Sequence, residues 1–189
     1  MQNLKILYAG SPLASAIVFK NLISAQNECG FKIVGALTNP PATRGRHSDL
    51  IPTEVATVAR EHSIPVFEFD HLMADSREAI SPLGADLLVS FDYGRIFGPK
   101  FLALFPLGGI NLHPSLLPKY RGAAPIQWAV INGEKESGVT IMQMDAGLDT
   151  GDILMQESTL LYPQETGESL YEKLSAMGGR LLVRALPGI

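Results

Sequence analysis

Short apolar runs alternate with stretches of helical spacing along this chain, and that alternation limits what it can fold into. Lys5-Ile6-Leu7-Tyr8-Ala9-Gly10 reads as a buried strand ending in a turn. Ile17, Val18, Leu22 and Ile23 then recur at roughly helical spacing. Phe31 to Thr38 forms a second strand, broken by Asn39-Pro40-Pro41. Pro52 is placed to open a helix that contains Val55, Val58 and Ala59. Pro65 to Phe69, Leu87 to Phe91 and Ile110 to His113 read as further strands, with a weak helix over Ser76 to Ile80. Strands alternating with helices predict an α/β domain with a mostly parallel sheet. Ligands of such sheets gather at the carboxyl ends of the strands.

The second half continues the pattern. A helix from about Ala124 to Ile131 should stop at Asn132-Gly133. Val139 to Met144 and Ile153 to Ser158 read as strands flanking an aspartate-rich loop. Thr166 can cap a last helix whose Leu170, Leu174, Met177 and Leu181 share one apolar face. Asn39 to Ile51 reads as one long loop that carries Arg44, Arg46 and His47. No repeat, low-complexity tract or linker divides the 189 residues, so residues 1–189 are expected to form one domain.

A hydrophobic content of 46% against 18% charged residues describes a soluble globular chain. The formal charge of -4 offers no general field for nucleic acid, so an RNA partner would have to meet a local patch or another domain. Cys29 stands alone, which excludes an internal disulfide and a multi-cysteine metal cluster and suits a reducing compartment. The apolar start from Leu4 to Ala9 is too short to span a membrane and lacks a signal-peptide layout. The expectation is a cytoplasmic protein with no membrane association, and nothing points to a protein partner.

Chemistry concentrates in Asn111-Leu112-His113-Pro114-Ser115-Leu116-Leu117-Pro118 and in the run from Met144 to Asp152. Side chains of a strand alternate faces, so Asn111 and His113 project together while Ile110 and Leu112 point the other way. Pro114 cannot donate to a ladder, so the strand should end there. Asn111 offers an amide donor for a developing oxyanion, and His113 a proton carrier near neutrality. A carboxylate beside His113 would hold its orientation, but spacing does not choose among Asp145, Asp149 and Asp152. A turn-forming Asn, a core histidine and a solvated loop are the plainer readings of the same residues.

Other chemistries fit less well. Gly10-Ser11-Pro12 matches neither a dinucleotide fingerprint nor a P-loop. Ser115 lacks a nucleophile-elbow context, Cys29 has no evident activating partner, and no paired metal-ligand motif occurs. The acidic loop does not follow EF-hand spacing. A non-covalent transfer organised by Asn, His and Asp remains.

The Asn111 to Pro118 run resembles the signature of the folate-dependent formyltransferases. Lys119-Tyr120-Arg121-Gly122-Ala123-Ala124-Pro125-Ile126-Gln127, Gly138 to Asp145 and Gly147-Leu148-Asp149-Thr150-Gly151-Asp152 resemble most the branch that formylates initiator methionyl-tRNA. The match is long and specific from about Asp86 to Asp152 and continues in outline from Leu4. The resemblance implies a Rossmann-like formyltransferase fold, with helices on both faces of a mostly parallel sheet. It implies Asn111, His113 and Asp149 as the catalytic trio and 10-formyltetrahydrofolate as formyl donor, with no metal. The reaction would pass through a tetrahedral intermediate to the amine of methionyl-tRNA, in translation initiation.

By the same resemblance, the pterin ring would lie near Arg95, Ile96 and Phe97 and the loop Asp145, Ala146, Gly147, Leu148, Asp149. Ser115, Leu116, Leu117 and Pro118 would line the same cleft, and Arg44 and Arg46 would face the acceptor tRNA. Three departures stand out. Gly10-Ser11-Pro12-Leu13-Ala14 replaces a Gly-Thr-Pro-Asp-Phe turn, and Phe91-Asp92-Tyr93-Gly94 puts a charge where relatives carry Val-Ala-Tyr-Gly. The C-terminal tRNA-holding domain of that branch is also absent from these residues. An amino-sugar nucleotide acceptor, or a folate-binding fragment with little activity, are the alternative expectations.

Overall fold

The structure is a computed structural model and describes residues 4–43 and 49–189. Its elements in chain order begin with β1 (Leu4–Ala9), α1 (Leu13–Cys29), β2 (Phe31–Thr38), β3 (Ala42–Thr43), β4 (Leu50–Ile51), α2 (Glu54–Glu61) and β5 (Val66–Glu68). Then come α3 (Ala74–Ile80), β6 (Leu87–Ser90), α4 (Pro99–Leu102), β7 (Gly109–His113) and α5 (Pro125–Ile131). β8 (Glu136–Gln143), β9 (Ile153–Leu160) and α6 (Gly167–Ala185) complete the set. A seven-stranded sheet has the order β5-β2-β1-β6-β7-β8-β9. Its strands run parallel from β5 through β7, and β8 and β9 join antiparallel.

Burial explains the alternation seen in the sequence. β1 pairs on both sides and its last four residues are buried, so its apolar run is continuous. The edge strand β9 instead alternates exposed and half-buried residues along most of its length. Ile6, Tyr8, Val89, Ile110 and Leu112 form one face of the core with residues of α1, α2, α5 and α6. Leu7, Ala9, Leu37 and Leu88 form the other with Ile80 of α3 and Phe101 of α4. Helices on both faces of a mostly parallel sheet are the expected arrangement.

Helix ends follow from local chemistry. Gly30 takes a left-handed φ of 72° after α1, and its N–H donates to the Gln26 carbonyl. Thr166 caps α6 through a reciprocal pair with Ser169, and Leu170, Leu174, Met177 and Leu181 are buried as one face. Gly178 of α6 presses directly on β7, since a Cβ there would stand 2.5 Å from Leu112 Cδ2. That close approach seats β7, the strand that carries the candidate site.

Three expectations need correction. The long loop from Asn39 to Ile51 contains the antiparallel pair β3 and β4, with Ala42 opposite Ile51 and Thr43 opposite Leu50. Pro52 does not open α2. Thr53 is its N-cap because its hydroxyl can accept the Ala56 N–H, at 3.1 Å, which proline cannot do. α4 has no counterpart among the predicted helices, because four residues from Pro99 to Leu102 are too few to show a period.

Candidate active site

β7 ends at His113 as expected, and the pleat gives Asn111 and His113 the same face. Ile110 and Leu112 point into the core with α1 and α6. His113 is only 5% exposed. Its Nε2 stands 2.8 Å from the Tyr120 carbonyl. A carbonyl only accepts, so Nε2 carries a hydrogen and donates it there. Nδ1 faces Asp149 Oδ2 at 3.5 Å. Asn111 is half-buried, and among the described residues its amide makes no hydrogen bond, so its donors stay available.

The three aspartates separate by position. β8 leaves the sheet where Gln143 opposes Ile110, and residues 144–152 double back to bring Asp149 to the level of His113. Asp149 adopts a left-handed φ of 51°, and its Oδ2 accepts the Gly122 N–H at 2.8 Å. Asp145 turns inward on its own loop, accepting from the Gly147 N–H at 2.9 Å and from the Thr150 hydroxyl at 2.8 Å. Asp152 contributes its carbonyl to the Gln143 N–H. Gly151 sits against β8 so closely that a Cβ would meet the Gln143 carbonyl oxygen at 1.8 Å.

Asn111, His113 and Asp149 stand on the wall of a cavity of about 1310 Å³ at the carboxyl ends of β6 and β7. Arg95, Ile96, Phe97, Asp145, Ala146, Gly147 and Leu148 line the same cavity, so the structure gathers them with the trio. Ile96 is 86% exposed and Phe97 stacks on Tyr93, giving an apolar wall suited to a flat ring. Arg95 is turned aside by its own partners, the Asn39 side-chain oxygen and Asp70 at 3.7 Å. Tyr93 is buried in the wall, and among the described residues its hydroxyl has no hydrogen-bond partner. Burial pushes the Tyr93 phenol up to about 12, against the pull of Arg95. Apolar walls, exposed loop backbone and this volume fit a folate-sized molecule.

Ser115, Leu116, Leu117 and Pro118 do not line this cavity. The Ser115 hydroxyl donates to the Lys119 carbonyl at 2.6 Å, and the Leu117 N–H donates to the Thr140 hydroxyl at 3.1 Å. Those bonds tie the run to the sheet behind His113, so it supports the site and does not face it. Arg44 and Arg46 lie outside the described residues. Asp92 is at the cavity rim, exposed, with a φ of 51°, and accepts a hydrogen bond from the Tyr171 hydroxyl of α6. Burial, with Asp92 second, holds the Tyr171 phenol above its ordinary value.

Sequence reasoning missed Tyr120, Gly122 and Tyr171. Gly122 takes a φ of 80°, and nothing in the spacing tied its N–H to a carboxylate 27 residues on. A second cavity of about 390 Å³ opens beside Gln26, Lys32 and His62 and holds none of the candidate residues. Among the described residues, no group of three or more His, Cys, Asp or Glu is placed to hold a metal ion. No helix among them is long and apolar enough to cross a membrane.

Fold and site together define a Rossmann-like α/β enzyme with its cavity at the strand carboxyl ends. The family model described as Formyl transferase matches residues 4–186, and the chain belongs to that family. It is 40% identical over 189 residues to a methionyl-tRNA formyltransferase of Desulfotalea psychrophila, matching 100% of this chain and 57% of that protein. A methionyl-tRNA formyltransferase of Geobacter metallireducens is 41% identical over 187 residues, with 98% and 59% covered. The chain thus spans less than two thirds of these curated relatives. Among solved structures, phosphoribosylglycinamide formyltransferase from Bacillus halodurans superposes with a TM-score of 0.84 at 25% identity, covering 97% and 94% of the two chains. A formyltetrahydrofolate deformylase from Pseudomonas syringae shares the fold, with a TM-score of 0.81 at 20% identity, covering 99% and 61%.

Proposed function

We propose that residues 1–189 form the catalytic domain of a methionyl-tRNA formyltransferase, with 10-formyltetrahydrofolate as donor. The observation that carries this reading is the convergence of Asn111, His113 and Asp149 on one cavity wall, with Asp149 Oδ2 3.5 Å from His113 Nδ1. The names of the relatives favour methionyl-tRNA as the acceptor. The loop 145–148 and the wall at Arg95, Ile96 and Phe97 would hold the flat end of the donor, largely through backbone groups.

In this mechanism the acceptor amine would attack the formyl carbon, and negative charge would grow on the formyl oxygen. Collapse would break the bond from that carbon to the donor nitrogen, which leaves as tetrahydrofolate carrying a proton while the amine gives one up. The Asn111 amide donates to that oxygen without changing its own charge. With Nε2–H committed to Tyr120, the proton that His113 gives or takes sits on Nδ1, the nitrogen facing Asp149. Asp149 steadies the positive charge of that imidazolium and is itself steadied by Gly122. Arg44 and Arg46 would meet the acceptor's phosphates, a role compatible with an overall charge of -4 only as a local patch.

The test offers the full-length protein 10-formyltetrahydrofolate with initiator methionyl-tRNA, an amino-sugar nucleotide or phosphoribosylglycinamide. Formylation of the methionyl-tRNA is the expected result. Turnover on either of the other acceptors alone would overturn the assignment of acceptor. Folate binding without turnover on any amine would overturn the enzyme reading.

A further inference from the structure

One three-residue stretch touches both titratable members of the trio. The Tyr120 carbonyl accepts from His113 Nε2 at 2.8 Å, and the Gly122 N–H donates to Asp149 Oδ2 at 2.8 Å. The backbone reaches both because Tyr120 and Gly122 are left-handed, with φ of 57° and 80°. Glycine adopts that region readily, but a tyrosine there needs something to hold it.

The side chain of Tyr120 supplies the hold. Its hydroxyl donates to Glu134 Oε1 at 2.7 Å and accepts from Asn132 Nδ2 at 2.9 Å. Lys119 Nζ reaches both oxygens of Glu134 at 3.2 Å. Asn132 and Glu134 flank Gly133 in the turn that ends α5, and the Glu134 N–H bonds back to the Ala129 carbonyl. The turn is therefore fixed to the helix, and it grips the phenol of a residue whose carbonyl grips the histidine. The bonds from Tyr120 first and Lys119 second hold the Glu134 carboxyl below the usual carboxylate range, so it is a charged acceptor at neutral pH.

We propose that Tyr120 is a positioning residue, anchored by Glu134 and Asn132, that fixes the tautomer of His113 and its alignment with Asp149. The proposal rests on the catalytic reading of His113 given above. Nothing else in the ring's surroundings accepts from Nε2 among the described residues. Releasing the phenol frees the carbonyl to swing, and the Nε2–H tautomer loses its selection.

The experiment pairs Tyr120→Phe with Glu134→Gln in the full-length protein. Each is read by ¹⁵N NMR of histidine-labelled protein, with the His113 signals assigned from a His113→Ala sample, and by steady-state kinetics. Tyr120→Phe should replace the single Nε2–H pattern by an average of tautomers. It should lower kcat by about tenfold to a hundredfold, the scale for a slightly misplaced catalytic group, with both KM values nearly unchanged. Glu134→Gln should move the same signals less, and the double variant should be no worse than Tyr120→Phe alone, as expected of coupled residues. Unchanged His113 nitrogen signals in folded Tyr120→Phe protein would overturn the proposal whatever happens to the rate. Should that variant not fold, unchanged His113 signals in Glu134→Gln would overturn it equally. Undiminished turnover in His113→Ala would instead overturn the catalytic reading and leave the NMR result to decide the role of Tyr120 in holding the ring.

Discussion

Asp149→Asn separates electrostatics from architecture more cleanly than any other substitution in the cavity. Asparagine keeps the shape of the side chain and tolerates the left-handed φ of 51° at least as well. Its amide oxygen can still accept the Gly122 N–H, now as a neutral acceptor, at a stability cost of about 1 kcal/mol. What disappears is the negative charge facing His113 at 3.5 Å, between side chains only 6% and 11% exposed. At that separation two unit charges attract by about 5 kcal/mol for an effective dielectric of about 20. The amide dipole and reoriented water recover part of this. If about half is lost from the transition state, kcat falls roughly a hundredfold.

Steady-state kinetics should therefore show that fall in kcat, with KM for the formyl donor within about threefold of the parent value. Urea denaturation should confirm that no more than about 1 kcal/mol of stability is gone. Asp145→Asn is the matched control, since its carboxylate bonds Gly147 and Thr150 inside its own loop. It should loosen the loop and raise KM for the donor while costing kcat less than about tenfold. A crippled Asp145→Asn beside a mild Asp149→Asn would show that the wrong carboxylate has been assigned.

Gly151→Ala forces a Cβ against the Gln143 carbonyl oxygen, 1.8 Å away, and should cost about 1–3 kcal/mol in urea while lowering kcat through displaced Asp149. An unchanged midpoint would mean that the loop yields freely. Tyr93→Phe removes a buried hydroxyl that has no partner among the described residues and should stabilise the protein by about 1 kcal/mol, measured the same way at neutral pH. The raised phenol of Tyr93 also sets a pH limit. Its contribution is whole below the ordinary tyrosine value of 10.0 and is lost as pH rises toward about 12, so stability should fall across that window. Tyr93→Phe should flatten that fall, and an equal fall in both proteins would exclude Tyr93 as its source.

The sequence was most readable where one physical period decided the outcome. A period of two placed Asn111 and His113 together, and the proline after them ended β7 at His113. Thr166 and Asn132-Gly133 marked the bounds of α6 and α5 because capping is local chemistry. Spacing could not choose Asp149, since that choice depends on a loop that doubles back over the sheet and on a bond to Gly122. The resemblance placed Ser115 to Pro118 in the cleft, and the structure does not. The run follows the histidine in sequence, but its polar groups are spent on Lys119 and Thr140 behind the strand. Pro52 was read as the helix start, but the residue after it, Thr53, can satisfy a free N–H and caps α2 instead.

Asp92 shows how a charge beside an apolar-walled cavity is accommodated by the fold. A carboxylate at the rim of such a cavity would be costly if it were buried. Here the left-handed backbone at Asp92 turns it outward, where it is exposed and meets the Tyr171 hydroxyl of α6. Gly167, Glu168 and Tyr171 all line the same cavity, so that bond ties the first turns of α6 to the end of β6 across the rim. Tyr171 holds its proton more tightly for being buried and for donating to Asp92, so the tie persists through neutral pH. The charge that looked out of place in the sequence therefore fastens the helix that presses, through Gly178, on the strand carrying Asn111 and His113.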